Sequence, residues 1–179
     1  MKINFYVGPR QSGKTQRALE RYSEEPESSV LFVHNSKNAT MLKDVMNKMG
    51  IENPVIRSAE QLGSLKEAAS IPNPRLKDKK IIICDEYLYW GERAKAGFFE
   101  FLQNHPNIET VVVYSSLDKF YDLKPSTEIE KYVYEKSIQE DPYNLIYKSD
   151  KVIPMAFTYY RGNRDSHTDD KVLEVSRLK

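Results

Sequence analysis

The sequence predicts an α/β protein of three layers, with a mostly parallel central sheet flanked by helices. Three observations predict it. Short apolar runs rich in β-branched residues recur along the chain, and stretches with helical spacing separate them. The run 81–84 is apolar without alternation, the pattern of a strand covered on both faces. The first such run leads through a glycine-bearing loop straight into a helical pattern, the order from which parallel crossovers are built.

Residues 3–7 read as the first strand and 13–23 as a polar helix. Residues 30–34 (VLFVH) form the second strand. In 38–49, Met41, Leu42, Val45, Met46 and Met49 fall at helical spacing, and Gly50 reads as the stop. Residues 54–57 read as a short strand and 58–70 as a helix capped by Ser58. A proline-rich loop over 71–74 leads into RLKDKK (75–80), read as a solvated loop before the central strand at 81–84. A helix follows over 92–104 and a buried strand over 109–114. The segment 126–140 fits helix or strand, and 152–160 is the last candidate strand.

The chain has 179 residues, room for one domain. Its core is expected over about residues 1–120, with 121–179 as a C-terminal strand or helix extension of open role. Lys plus Arg number 27 against 26 Asp plus Glu, which argues against a strongly basic coat for nucleic acid or a polybasic membrane anchor. One cysteine, Cys84, excludes an internal disulfide, and three scattered histidines offer no zinc cluster. The first ten residues are too short in apolar length for a secretory leader, and no stretch approaches the ~20 apolar residues of a membrane span. The expectation is a soluble, cytoplasmic protein with no membrane partner.

GPRQSGKT, residues 8–15, matches G-x-x-x-x-G-K-[ST] directly after a strand and at the opening of a helix. Such a loop turns backbone N–H groups onto phosphates, and the helix N-terminus adds its positive end. Gly8, Pro9, Arg10, Gln11, Ser12, Gly13, Lys14 and Thr15 are thus candidate ATP contacts. Lys14 is expected to reach the β- and γ-phosphates and Thr15 to ligate Mg²⁺. KKIIICDE places Asp85 and Glu86 at the end of the central strand. Asp85 suits the second Mg²⁺ ligand, and Glu86 the base that polarises a water for attack. The alternative for Glu86 is the start of a solvated loop.

The paired DE after an apolar strand resembles the ATPase division of phosphate-loop proteins, in which a catalytic Glu follows the metal-binding Asp. Pro-Arg-Gln-Ser-Gly-Lys-Thr is similar to the phosphate loop of large-terminase ATPases of viral DNA-packaging motors. That resemblance implies that Arg10 approaches the γ-phosphate as a finger or sensor; otherwise it is a solvent-exposed or acid-paired loop arginine. SSVLFVHNSKNATMLKDVM resembles a strand and helix of such motors that often contact DNA. VVVYSS resembles their third motif, which gives Ser115 and Ser116 a role in sensing the γ-phosphate, with a cap or turn as the alternative. The resemblance covers about residues 1–120.

It implies a phosphate-loop NTPase that uses ATP and Mg²⁺ as a nucleic-acid motor, on double-stranded DNA, as a homo-oligomer or ring in the host cytoplasm. Catalysis would rest on Glu86, Lys14 and Arg10. A neighbouring subunit would donate an arginine, for which Arg93, Arg161 and Arg164 are candidates. The chain departs from the family in lacking room for a second motor lobe and in showing no acid-rich nuclease segment. A small-molecule kinase of thymidine-kinase type stays open, although one cysteine cannot build that family's zinc lobe and Gln11 replaces the middle glycine of nucleoside monophosphate kinases. A nucleotide-binding regulatory or assembly protein stays open as well. Tyrosines such as those of YLYW (87–90) and Tyr159–Tyr160 suit base stacking or sheet and interface packing.

Overall fold

A computed structural model of the protein describes residues 1–8, 12–64, 76–116 and 149–155. In chain order these form β1 (Lys2–Gly8), α1 (Lys14–Glu24), β2 (Ser29–Val33), α2 (Ser36–Lys48), β3 (Ile56–Ser58) and α3 (Glu60–Ser64). Then come β4 (Ile81–Asp85), a 3-10 turn (Tyr87–Tyr89), α4 (Glu92–Asn104), β5 (Thr110–Ser116) and β6 (Lys151–Pro154). The strands lie side by side in the order β3-β2-β4-β5-β1-β6. Every pairing among them is parallel.

The period of two in a strand sorts its side chains between two cores. Ile3, Phe5, Val7, Val30, Phe32, Ile82, Cys84, Val111 and Val113 meet Leu62 of α3 and Ala94, Phe98, Phe101 and Leu102 of α4 on one face. Leu31, Val33, Ile81, Ile83, Val112 and Tyr114 meet Ala18, Leu19 and Tyr22 of α1 and Ala39, Leu42 and Met46 of α2 on the other. This accounts for the unbroken apolar runs in β2, β4 and β5: both faces of each are covered. The fold is therefore the three-layer α/β arrangement that the sequence predicts.

Chain direction and face agree with one handedness of crossover. β1 to β2 to β3 steps toward the β3 edge over the α1–α2 face. β3 to β4 to β5 steps back over the opposite face. Reversing both direction and face preserves the hand, as the right-handed rule for parallel crossovers demands. Under the α4 face, the Phe32 ring lies 5.8 Å from Phe98 and 5.5 Å from Phe101, edge-on to both. Tyr87 and Trp90, 5.0 Å apart, complete this aromatic floor beneath the turn that follows β4.

Several local expectations change. α2 begins two residues before 38, because Asn35 Oδ1 accepts from the Asn38 amide at 2.9 Å and caps the helix there. Ser58 closes β3 rather than lying outside it, while its hydroxyl still accepts from the Glu60 amide at 3.2 Å. α3 is described only over Glu60–Ser64, so the remainder of 58–70 lies outside the described residues. Residues 76–80 are not a fully solvated loop, since Leu76 and Lys79 are buried. Lys79 Nζ donates to the carbonyls of Pro26 at 3.2 Å and Glu27 at 2.6 Å, tying the loop before β2 to the start of β4.

The core also extends past residue 120, because β6 occupies the sheet edge beside β1. Within 152–160 the strand ends at Pro154, and residues from 156 on lie outside the described set, as does all of 126–140.

Candidate functional site

In a parallel sheet the loops that lead from strand to helix leave the carboxyl edge, and there the sequence motifs meet. β1 ends at Gly8 and α1 begins just after Gly13, which holds φ 79° and ψ 11°, the left-handed region a Cβ would strain. Gly8 is required for a different reason. A Cβ there would stand 2.8 Å from the Met155 carbonyl oxygen, 2.8 Å from Ser12 Oγ and 2.9 Å from Met155 Cβ. The close approach at Gly8 is therefore to the chain leaving β6 and to the loop's own serine. Pro9, Arg10 and Gln11 lie outside the described residues.

Ser12 and Lys14 are both buried. The Lys14 ammonium donates to Ser12 Oγ at 3.2 Å and lies 3.8 Å from Glu86 Oε1. A buried lysine held at the mouth of a loop, by a hydroxyl and a carboxylate, is a cation placed for anionic ligands.

Thr15, in the first turn of α1, lies over the sheet face that carries Ile81, Ile83 and, by the same alternation, Asp85. Its hydroxyl donates toward Asp85 Oδ2 at 3.0 Å and Oδ1 at 3.2 Å. These two residues stand 70 apart in the chain, and the β1–α1 crossover brings them together. Burial pushes the Asp85 carboxyl up to about 7, with the neighbouring Glu86 charge adding to the rise and the Thr15 bond and Lys14 opposing it. The indole Nε1 of Trp90 donates to the Asp85 carbonyl at 3.1 Å and anchors the backbone.

A hydroxyl and a carboxylate side by side are the hard oxygen donors that Mg²⁺ takes, and a buried carboxyl so short of positive charge suits a divalent cation. Among the described residues no group of three or more His, Cys, Asp and Glu could hold a metal on its own. Thr15 and Asp85 would accordingly share the ion with phosphate oxygens and water.

Glu86 adopts φ 54° and ψ 42°, the left-handed region in a residue that is not glycine. Its amide donates to the Tyr114 carbonyl at 2.7 Å. Its carboxylate accepts from the Ser116 amide at Oε2 and from the Ser116 hydroxyl at Oε1, each at 2.8 Å. The side chain remains 28% exposed. Glu86 is thus fixed at the site and retains an open side, unlike a residue beginning a solvated loop.

Ser115 and Ser116 part company. Strand alternation turns Ser116 toward the α1 face with Asp85, where it meets Glu86. Ser115 is fully buried, and its hydroxyl accepts from the Leu88 amide at 2.9 Å. The sequence singled out the pair; the apolar, non-alternating run before it left their faces undecided. Two other contributors carried no sequence signal as site residues: Trp90 and Met155.

Of the YLYW residues, Tyr87 and Trp90 are buried in the aromatic floor while Tyr89 is exposed. Arg93 is exposed near the N-terminus of α4. Arg161, Arg164, Tyr159 and Tyr160 lie outside the described residues. Among the described residues no helix is long and apolar enough to cross a membrane. No protein-family model matches the chain, and no curated protein sequence matches it significantly.

Proposed function

We propose that this chain binds a nucleoside triphosphate with Mg²⁺ at the carboxyl edge of its sheet and hydrolyses it. The observation that carries the reading is the meeting of Thr15 with Asp85 at 3.0 Å, beside Lys14 and Glu86. Residue types expected separately for phosphate, metal and water are gathered at one edge by an ordinary crossover. Lys14 and the α1 N-terminus would bind the phosphates, and Thr15 with Asp85 would hold the cation. Magnesium would supply neutralisation of charge on the phosphates. Glu86, with its open side, would orient a water and take its proton.

Coupling of that hydrolysis to movement of double-stranded DNA, by a homo-oligomer, is the further part of the proposal. It is supported by the order GPRQSGKT, IIICDE and VVVYSS and by the resemblance to packaging ATPases.

The test is nucleotide binding and steady-state ATP hydrolysis with Mg²⁺, with and without double-stranded DNA, on the wild type and Glu86→Gln. The variant is expected to bind MgATP and to lose about 10²–10⁴ in turnover, the usual contribution of a positioned base. DNA is expected to raise wild-type turnover. A wild type that binds no nucleotide removes the whole reading. Binding without turnover leaves a nucleotide-binding regulator, and turnover indifferent to DNA removes the coupling alone. Transfer of phosphate to a nucleoside would make the chain a kinase.

A further inference from the structure

We infer that Ser116 is a positioning residue for Glu86, acting on the acid rather than on the nucleotide. The inference rests on the hydrolase reading above. β5 is interposed between the strand that opens the phosphate loop and the strand that carries the acids. Its last residue, Ser116, stands in register with Gly8 of β1, while its Tyr114 is in register with Asp85 of β4. One strand end thereby spans the distance between the two motifs.

Two donors of one residue are used on one carboxylate. The Ser116 amide meets Oε2 and the Ser116 hydroxyl meets Oε1, both at 2.8 Å. A donor on each oxygen fixes the plane of the carboxylate as well as its place, which a single bond would leave free to rotate. The next residue back steadies the same turn from behind, since Ser115 Oγ accepts from the Leu88 amide at 2.9 Å. Glu86 holds its left-handed backbone between these two anchors. Such a conformation persists only where the surroundings over-determine it. A hydroxyl already donated to Glu86 is also not the donor that a phosphate oxygen would need. Positioning is therefore the use this geometry gives Ser116.

Ser116→Ala removes one of the two donors and keeps the amide, so its effect should be graded. The expected result is a fall in kcat of about tenfold, part of the roughly 10²–10⁴ a positioned base contributes, with unchanged affinity for MgATP and unchanged melting temperature. Ser116→Thr, which keeps the hydroxyl, should turn over near the wild-type rate.

An unchanged kcat in Ser116→Ala overturns the inference. So does a loss confined to nucleotide affinity, which would mark a contact to the ligand, and so does a Ser116→Thr variant that binds MgATP normally yet is as slow as Ser116→Ala. Glu86→Gln separates the two levels. If it is inactive while Ser116→Ala is normal, only the positioning role fails. If the wild type itself has no turnover, the hydrolase reading fails and the positioning role falls with it.

Discussion

Asp85 shows how far a single carboxyl at this site departs from an ordinary one. Its carboxyl rises from 3.8 to about 7, first through burial and then through the adjacent Glu86 charge, against the Thr15 bond and Lys14. The folded protein therefore holds this proton more tightly than the unfolded chain does. The sign follows from linkage: stability from the neutral acid is full below pH 4 and is lost as pH rises toward 7. In metal-free buffer Asp85→Asn, which cannot ionise, should melt higher than the wild type at pH 8. The difference should shrink as pH falls toward 4, with a ceiling on the order of 4 kcal/mol. Thermal melts across pH 4–8 with a chelator check it, and a constant difference would show that Asp85 does not titrate in this window. The sequence made Asp85 a candidate Mg²⁺ ligand, because an apolar run ending in Asp-Glu joins a GPRQSGKT loop in the same chain. It did not separate Ser115 from Ser116, because VVVYSS alternates neither in size nor in polarity.

At the scale of elements, the regular ones were legible and the irregular ones were not. α4 occupies Glu92–Asn104 as the spacing of its apolar residues indicates. β5 runs two residues beyond the apolar stretch, since Ser115 and Ser116 continue the pairing with β1. The 3-10 turn at Tyr87–Tyr89 went unread, although it determines how the acids are presented. Tyr87 packs edge-on against Phe5 and Trp90 against Phe32, contacts between distant parts of the chain that no local pattern contains. Tyr87 and Trp90 lie against Phe98, and the indole N–H reaches the Asp85 carbonyl at 3.1 Å. Trp90→Phe would retain most of the ring while deleting that donor and leaving a buried carbonyl short of a partner. The expected cost is about 1–3 kcal/mol of unfolding free energy, read from denaturant titration. A loss well below 1 kcal/mol would mean that the turn is held by packing alone.

Across the whole molecule, the sheet is longer than the motifs that announce it. The motifs stop near residue 116, yet the strand that completes the far side of β1 comes from residues 151–154, so sequence motifs set the core boundary too early. The strand is four residues long, too short for a periodicity to show, although Ile153 and the following Met155 are buried. Their contribution is nevertheless central to the site. Asp150 donates its amide to the Ile3 carbonyl at 2.6 Å and accepts from the Ile3 amide at 2.7 Å, while the Met155 amide donates to the Val7 carbonyl at 2.8 Å. Met155 then lies directly against Gly8, the first residue of the GPRQSGKT motif. A chain ending at residue 120 would keep every recognisable motif and lose all of these contacts, leaving β1 as an unpaired edge. Such a chain should melt lower and less cooperatively than the full chain and bind MgATP more weakly. Calorimetric melting with and without nucleotide measures both. For the full chain, MgATP at about 100 times its dissociation constant should add about 2.7 kcal/mol. The shortened chain should show little of that gain, because the strand that positions Gly8 has lost its outer neighbour. An equal nucleotide-induced shift in both chains would mean that the motifs alone build the site and that β6 serves only to cover an edge.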